Sequence, residues 1–155
     1  MKKPLWQPTE LKKKNSILAD FAKFINFKSE YNFKDLWKWT IENPEEFWTY
    51  FWDYSKIKGD KGKEVIQYNK VFNKTKFFPD SKINYAENIL KKKTDDIAIH
   101  FLSEKGFEES ISWNKLYEKV CKFSGYLKTL HLKKGDRVAA YVPNKIESVI
   151  SFLAC

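Results

Sequence analysis

The chain has 155 residues, of which 43% are apolar and 17% aromatic, with five Gly and five Pro. That length supports one domain with a hydrophobic core, and the composition excludes fibrous and disordered chains. The formal net charge of +9 would suit a nucleic-acid binder, but Arg137 is the only arginine. Because recognition of bases and phosphates favours the bidentate arginine fork, we predict no nucleic-acid partner and interpret the lysines as solvated surface.

Localisation is predicted from the start of the chain, its apolar runs and its cysteines. Basic residues open the chain, but no apolar stretch follows them, so no signal peptide is predicted. No apolar run has the length of a membrane span, and we predict no membrane partner. Cys121 and Cys155 are far apart and lack neighbouring ligands, which excludes a zinc site and a disulfide framework. The sequence is typical of a soluble, reduced, cytoplasmic protein.

The first third of the chain is predicted to be helical after a polar lead over residues 1–14. Apolar positions at helical spacing and capping residues predict three helices over Ser16–Asn26, Lys34–Ile41 and Pro44–Tyr54. Asn43 is the predicted N-cap of the third helix, with Pro44 at its first position and Glu46 completing a capping box. Aromatic residues surround most of this third helix, so it is buried or expects a partner.

The segment after the third helix is predicted to change to loops and extended structure. Ser55–Glu64 is rich in Lys and Gly and is predicted to be a solvated loop. Alternation over Val65–Phe72 predicts a strand. Asn84, followed three residues later by Glu87, predicts a capping box and a helix start. That helix is predicted to end near Lys91–Lys93, where cations suit a helix C-terminus.

A second pattern begins at Asp95 and predicts an α/β layer with a parallel pair of strands. Its predicted elements are the strand Ile97–Leu102, the return strand Phe107–Ser112, a long helix capped by Ser112, the strand Arg137–Val142 and a last helix from Ile146. Apolar residues of the long helix step by four, three, four and three at Leu116, Val120, Phe123, Leu127 and Leu130. Gly135 is the predicted stop of this helix, and Asn144 with Glu147 is the predicted cap of the last one.

The residues present form no self-sufficient catalytic constellation. Lys58–Glu64 resembles a phosphate loop only superficially, because its glycines are too close and Lys63 is followed by Glu64 rather than by Ser or Thr. His100 and His131 have no nucleophile or carboxylate at a recognisable spacing. We interpret His100 as a sheet residue and His131 as a helix-end cation.

Three further sets have both a functional and a structural interpretation. Asp95-Asp96 could be an acid/base pair, and more often such a pair is a polar strand entry. Trp48 and Trp52 share a helix face and could stack on a base or an acyl group, although core or interdomain packing is favoured. The loop Val142-Pro143-Asn144 stands where open α/β sheets tend to place ligands, and is interpreted as mainly structural.

Five blocks in order resemble the acetoacetate–CoA ligases, which belong to the acyl-CoA synthetase family of adenylate-forming, AMP-binding enzymes. The blocks are Leu5–Pro8, Leu36–Trp48, Phe77–Leu90, Ile111–Leu116 and Lys134–Asn144. The string F-P-D-S-K-I-N-Y-A-E-N within the third block is similar to the family's F-P-x-x-x-x-N-Y-A-E-N pattern and favours acetoacetate over acetate. The chain departs from the pattern where Phe77 or Phe78 stands in place of Trp, and where Asp80 replaces Gly.

The resemblance implies an intact enzyme that joins acetoacetate to CoA at the expense of ATP, with Mg²⁺, through an acyl-adenylate. It implies an N-terminal helical cap region over residues 1–93 and the start of the large AMP-binding domain over residues 94–155, an incomplete sheet with flanking helices. The family's phosphate loop and later motifs do not occur in the sequence. The resemblance therefore assigns no catalytic, cofactor-binding or metal-binding residue, and we expect this chain alone to be inactive and to bind none of these cofactors tightly.

The chain ends at Cys155 within a predicted apolar helix, from which we expect a truncated domain whose partner is the remainder of the AMP-binding domain. A short final helix docked on the sheet is the alternative. Other functional interpretations stay open: an acetyl-CoA synthetase or another short-chain acyl-CoA ligase, a non-catalytic interaction module that docks a partner on Pro44–Tyr54, and a basic nucleic-acid binder.

Overall fold

The structure is a computed structural model that describes residues 5–28 and 32–155. The first four residues of the predicted polar lead lie outside the described residues. The chain divides into two compact units, of which the first ends at Lys82 and the second begins at Ile83.

Both units contain helices and strands. Helices occupy Glu10–Lys14 (α1), Ile17–Phe24 (α2), Phe33–Glu42 (α3), Pro44–Tyr54 (α4), Tyr85–Ile89 (α5), Trp113–Thr129 (α6) and Ile146–Ala154 (α7). Strands occupy Gly59–Asp60 (β1), Ile66–Gln67 (β2), Lys76–Phe77 (β3), Lys82–Ile83 (β4), Ile97–Leu102 (β5) and Glu108–Ser112 (β6), and Phe72–Lys74 is a turn of 3₁₀-helix. In the described residues the strands form three two-stranded sheets, β1 with β4, β2 with β3 and β5 with β6.

Edge-to-face packing of aromatic rings builds the first unit. The ring of Phe21 on α2 lies 5.9 Å from Phe47 and 5.2 Å from Tyr54, both on α4. The interplanar angles of 83° and 76° are the edge-to-face geometry that ring quadrupoles prefer. Trp39 brings α3 into the same cluster, 6.4 Å from Phe47. The three helices are therefore held together by aromatic contacts, as the aromatic content of α4 predicts.

Side-chain caps begin the first three helices. Thr9 accepts a hydrogen bond from the Lys12 amide and starts α1, a short helix within the predicted polar lead. Ser16 accepts from the amide of Ala19 and starts α2. The second predicted helix is confirmed as α3, and a reciprocal capping box between Asn32 and Asp35 begins it.

The predicted capping box at the start of α4 is wrong. The helix has the predicted bounds and Pro44 in its first turn, but Asn43 makes no side-chain cap. The Asn43 side-chain amide instead donates to the carbonyl oxygen of Trp39 at 3.1 Å, in the last turn of α3. Asn43 both ends α3 and begins α4, and its side chain satisfies a free carbonyl of the earlier helix.

The predicted strand over Val65–Phe72 is mostly wrong, since only Ile66–Gln67 is a strand. Beyond it the amide of Val71 donates to the side-chain oxygen of Asn69 at 2.9 Å, a local bond that competes with a strand ladder. The chain turns there and returns as β3, which pairs antiparallel with β2. The predicted loop over Ser55–Glu64 also contains a short strand, β1.

The start of the second unit matches the sequence pattern. The side-chain oxygen of Asn84 accepts from the Glu87 amide at 2.9 Å and begins α5, as predicted. This helix ends at Ile89, short of the predicted end near Lys91–Lys93. The predicted hairpin is confirmed as β5 and β6, which pair antiparallel with Ile99 opposite Ile111.

The core of the second unit lies between the β5–β6 hairpin, α6 and α7. Its buried residues are Leu90, Ile111, Leu116, Val120, Leu127, Ile146, Ile150, Leu153 and Ala154. Leu116 on α6 is 2% exposed and Ile146 on α7 is 1% exposed. The predicted stripe of α6 thus faces the core over most of its length, but its last member, Leu130, is 50% exposed.

The predicted end of α6 at Gly135 is wrong, because the helix ends at Thr129. Leu130 is its C-cap, and His131 follows in the left-handed region with φ of 57°. A left-handed residue directly after the C-cap is a common way for a helix to end. Gly135, with φ of 102°, belongs to a separate turn closed by a hydrogen bond from the Asp136 amide to the Lys133 carbonyl.

The predicted strand over Arg137–Val142 is also wrong, and with it the predicted parallel pair. This segment forms no strand in the structure, and Val138, Tyr141 and Val142 are exposed. A strand needs a neighbour for its backbone hydrogen bonds, and no strand within residues 32–155 pairs with this segment. The observed architecture is a mixture of helices and small antiparallel sheets, which is consistent with part of an α/β domain.

The last predicted helix is confirmed as α7, but its predicted cap is wrong. The N-cap residue is Lys145 rather than Asn144, and it makes no side-chain cap. The hydroxyl of Ser148 donates to the Lys145 carbonyl instead. Among the described helices, none combines the length and the apolar character that crossing a bilayer requires.

Leu116 and Leu130 belong to the same predicted apolar stripe, but Leu116 is buried and Leu130 is half-exposed. We expect Leu116→Ala to lower the free energy of unfolding by about 2–5 kcal/mol, because it leaves a cavity in the core. The matched control Leu130→Ala removes the same atoms from a half-exposed site and is expected to cost less than about 1 kcal/mol. Urea unfolding followed by circular dichroism measures both, and equal losses would contradict the placement of the core.

Candidate functional site

The first unit carries an apolar groove between α2, α3 and α4. The groove has a volume of about 430 Å³ and is lined by Ile17, Leu18, Phe21, Phe33, Leu36, Trp37, Thr40, Phe47, Phe51 and Tyr54. The sequence predicted that α4 could bind a partner, but it did not identify Phe33 and Trp37 as part of such a surface. These two residues lie four positions apart on α3 and are exposed. That spacing is the signal that could have found them.

The two hydroxyl groups of the groove both have partners within the protein. The hydroxyl of Thr40 donates to the Trp37 carbonyl at 2.8 Å. The hydroxyl of Tyr54 donates to the Asp20 carboxylate at 3.0 Å. Burial, and then the hydrogen bond to Asp20, raise the pKa of Tyr54 above its usual value. The groove therefore suits an uncharged, apolar group and offers no acid, base or nucleophile for a reaction.

The structure gives the two candidate stacking residues of α4 structural contacts. Trp52 is buried, and its ring lies 4.9 Å from Phe78. Trp48 lies 4.9 Å from the ring of Phe77. Each indole thus packs on a ring of the segment that follows β2. Core packing, one of the two favoured interpretations, is confirmed for Trp52, whereas Trp48 is half-buried.

The loop before α7 borders a small cavity of about 320 Å³. Its lining residues are Phe107, Glu109, Val142, Pro143, Lys145, Glu147 and Ser148. Val142 and Pro143 of the predicted ligand loop line it, whereas Asn144 does not. Two carboxylates and one ammonium share this cavity, so it has no strong preference for either sign of charge.

The histidines and the acidic pair are not brought together. His100 lies on β5, where its Nδ1 is hydrogen-bonded to the hydroxyl of Ser110 on β6 at 2.6 Å. The Asp95 carboxylate accepts from the side-chain amide of Asn114, and Asp96 accepts from Thr94. The amide of Trp113 donates to the Asp96 carbonyl, so the pair fixes the entry to the hairpin and the start of α6.

The loop over Lys58–Glu64 has turn geometry rather than phosphate-loop geometry. The amide of Gly62 donates to the Asp60 side chain at 2.9 Å, and Lys61 pairs with Asp53 at 2.6 Å. Backbone amides of a phosphate loop converge on one point in front of a helix, and no helix follows this loop before Tyr85 except one 3₁₀ turn. The segment is therefore a solvated turn that includes the short strand β1, and it is not a phosphate loop.

The described residues form no cluster of metal-ligating side chains. Within residues 5–28 and 32–155, no three carboxylate, imidazole or thiol side chains lie close enough to hold a metal ion. Mg²⁺ takes carboxylate and phosphate oxygens, and the described residues provide no such group of carboxylates. Cys121 and Cys155 are both exposed free thiols. No step of a reaction is therefore assigned to these residues.

The strongest electrostatic feature of the second unit is a surface triad on α6. The Glu118 carboxylate lies 2.8 Å from Lys115 and 2.7 Å from Lys122. The hydrogen bond from Lys115, and then that from Lys122, lower the pKa of Glu118 to about 2. All three side chains are solvated, so the triad belongs to the helix surface and not to a reactive site.

A comparison with protein families identifies the second unit. A family model described as AMP-binding enzyme matches residues 86–155, which begin within α5 and continue through the hairpin, α6 and α7. The chain belongs to the AMP-binding enzyme family. The family resemblance of the five sequence blocks is thereby confirmed.

Curated relatives of this AMP-binding enzyme chain match both units. Acetoacetyl-CoA synthetase of Xenopus tropicalis is 34% identical over 98% of this chain and 23% of its own length. Acetoacetyl-CoA synthetase of Macaca fascicularis is 31% identical over 97% of this chain and 23% of its own length. Acetyl-coenzyme A synthetase of Desulfatibacillum aliphaticivorans is 37% identical over 75% of this chain and 19% of its own length. The chain spans less than a quarter of the length of these relatives.

The triad on α6 predicts a low pKa for Glu118 and a stability that depends on pH. We expect the Glu118 carboxyl to titrate at about pH 2, measured by NMR of its side-chain carbon. A pKa below the ordinary 4.5 means that the triad stabilises the folded state above pH 4.5. That contribution is lost as the pH falls towards about 2.

Three lysine substitutions on α6 separate the contributions of Lys115 and Lys122 to the lowered pKa of Glu118. Lys115→Met and Lys122→Met should each raise the pKa of Glu118, with the larger rise for Lys115→Met, because that hydrogen bond has the larger effect. Lys119→Met is the control, since Lys119 lies on α6 but contributes no cause to the shift. An equal rise in all three variants would contradict the triad and indicate a general effect of positive charge.

Proposed function

We propose that this chain is the N-terminal part of an ATP-dependent acetoacetate–CoA ligase. The observation that supports it most is that relatives named acetoacetyl-CoA synthetase match 97% and 98% of the chain, through both compact units. The F-P-D-S-K-I-N-Y-A-E-N string adds a specific resemblance within that match.

In the proposed reaction the acetoacetate carboxylate attacks the α-phosphorus of ATP and pyrophosphate leaves. The sulfur of CoA then attacks the acyl carbon of the adenylate and releases AMP, so that acetoacetyl-CoA, AMP and diphosphate are the products. ATP, CoA and Mg²⁺ are the expected cofactors of the longer protein, and the cytoplasm is its expected location. We assign none of the groups that would carry out these steps to the described residues.

The proposed division of labour follows the family resemblance. Residues 1–93 would form the N-terminal cap region, and residues 94–155 would begin the AMP-binding domain. In the second unit, α6, α7 and the β5–β6 hairpin contribute residues to one buried core. The hairpin has a free edge on each strand in the described residues, and further strands of the domain could extend it.

The 155-residue chain alone should catalyse no adenylation. We expect no exchange of labelled pyrophosphate into ATP with acetoacetate, because the described residues carry no phosphate loop and no metal-binding carboxylates. Heat-denatured chain is the control. Exchange above that background would contradict the expected inactivity and would place a complete site within these residues.

The acyl substrate is tested on the protein captured from its own cells with an antibody to Lys58–Lys70. We expect acetoacetate to be used with a kcat/KM at least about tenfold above that for acetate, a difference of about 1.4 kcal/mol in transition-state binding. Preference for acetate would instead support an acetyl-CoA synthetase, the activity in the name of the Desulfatibacillum relative.

A non-catalytic interaction module is the second candidate function, and the apolar groove is the observation that favours it. The groove offers uncharged aromatic walls and no reactive group, which suits binding without chemistry. A captured native protein that forms neither acetoacetyl-CoA nor acetyl-CoA would favour this module over a ligase.

A further inference from the structure

The β2–β3 hairpin is anchored to α4 at its base. Ile66 of β2 is buried. Phe77 of β3 lies 4.9 Å from Trp48, and the next residue, Phe78, lies 4.9 Å from Trp52. The amide of Phe78 also donates to the carbonyl of Val65 at 2.8 Å. Because both strands are held at the base, the segment between them projects from a fixed support.

Local hydrogen bonds give the tip of the hairpin a defined shape. The side-chain oxygen of Asn69 accepts from the Val71 amide at 2.9 Å, and the hydroxyl of Thr75 accepts from the Asn69 amide at 3.1 Å. The amide of Lys74 donates to the Val71 carbonyl at 2.9 Å and closes the 3₁₀ turn. The tip is therefore ordered before it meets any partner.

The tip presents three apolar side chains to solvent. Phe72 is 91% exposed, Tyr68 62% and Val71 50%. Neighbouring Phe and Val side chains that project together into water are unfavourable in an isolated protein, and they gain free energy when another apolar phase covers them. Tyr is suited to the boundary of such a phase, because its ring is apolar and its hydroxyl is polar.

Positive charge surrounds these side chains. Residues 66–77 contain Lys70, Lys74 and Lys76 and no Asp or Glu, so the hairpin has a charge of +3. In the described part of the chain these three ammonium groups form no ion pair. The hairpin thus combines an exposed apolar tip with a cluster of cations that no acidic side chain neutralises.

We propose that this hairpin binds the surface of an anionic lipid bilayer, with Val71 and Phe72 entering the headgroup region and the three lysines contacting anionic headgroups. A lipid surface supplies both the apolar phase and the negative charge that the hairpin lacks. Contact of this kind needs a few side chains at the interface and no helix that spans the membrane. It departs from the prediction of no membrane partner, which rested on the absence of an apolar run long enough to span a bilayer. The hairpin shares no residue with the lining of the apolar groove, and the proposal does not depend on the ligase activity.

The chemistry of the tip favours a bilayer over a nucleic acid. Val71 is aliphatic and has no face on which a base could stack, whereas it gains from leaving water at a lipid surface. The cations are lysines, which act as point charges, and the hairpin has no arginine to form bidentate contacts with phosphates or bases. RNA binding is therefore an alternative outcome of the test below.

The test is sedimentation of the 155-residue chain with vesicles of phosphatidylcholine, with and without phosphatidylserine. Binding is expected only with phosphatidylserine, and it should weaken as salt is raised, because screening shortens the reach of surface charge. Absence of binding to the anionic vesicles, or equal binding to the neutral ones, would overturn the proposal. The salt series uses the unsubstituted chain and so does not depend on any variant folding.

Two matched pairs of variants locate the binding surface. Substitution of Lys70, Lys74 and Lys76 together by Gln should weaken binding by about 100-fold, since each lysine near an anionic surface contributes about fivefold. The control changes Lys105, Lys119 and Lys134 to Gln, which removes the same charge from the second unit and should have a much smaller effect. An equal loss in both triple variants would overturn the assignment to the hairpin.

A second pair, a variant and its control, tests the apolar tip of the hairpin. Val71→Ser with Phe72→Ser should weaken binding at least about tenfold, because the inserted apolar area is lost. Trp6→Ser is the control, since Trp6 is an exposed aromatic residue outside the hairpin. Near-ultraviolet circular dichroism checks that the Trp48–Phe77 contact at the base persists in each variant. Loss with the lysine variant but not with the tip variant, together with equal binding to single-stranded RNA, would assign the surface to nucleic acid instead.

Discussion

The packing of α6 against the β5–β6 hairpin and α7 is the contact on which the second unit depends. Leu116 and Ile146, on the two helices, are the most deeply buried large side chains in the described residues. No buried polar or charged side chain occurs among those residues, so this core is stabilised by apolar burial and close packing. Ile111 of β6 joins this core, so the hairpin and both helices share one buried cluster.

In the first unit, aromatic rings provide the packing between the helices. Phe21 packs edge-to-face on Phe47, Phe51 and Tyr54, and the resulting layer of three helices is closed on one side and open on the other. The open side is the apolar groove, and the neighbouring hairpin places Phe72 in solvent. Exposed apolar surface of this extent is what we expect of a unit that meets a further surface, whether the rest of a longer polypeptide or a bilayer.

Apolar spacing and capping residues predicted helices and strands well where residues close in the sequence determine the structure. The bounds of α4 and β5, and the caps at Ser16, Asn84 and Ser112, depend on spacing or on a side chain three residues from its acceptor or donor. The predictions of a strand and of a helix cap failed where contacts outside the predicted element determine the structure. Arg137–Val142 has the composition of a strand but no partner strand in the described residues, and the side chain of Asn43 is hydrogen-bonded to the previous helix. The groove needs three helices packed together, so only its individual apolar positions could be predicted from the sequence.

The size of the native protein tests the central claim most directly. An antibody to Lys58–Lys70 would be used on an extract of the cells that make the protein. The account predicts a band several times larger than 18.5 kDa, because the relatives that match nearly the whole chain are more than four times its length. A band at 18.5 kDa with no larger form would contradict the assignment to a ligase and would leave these residues as an independent binding protein.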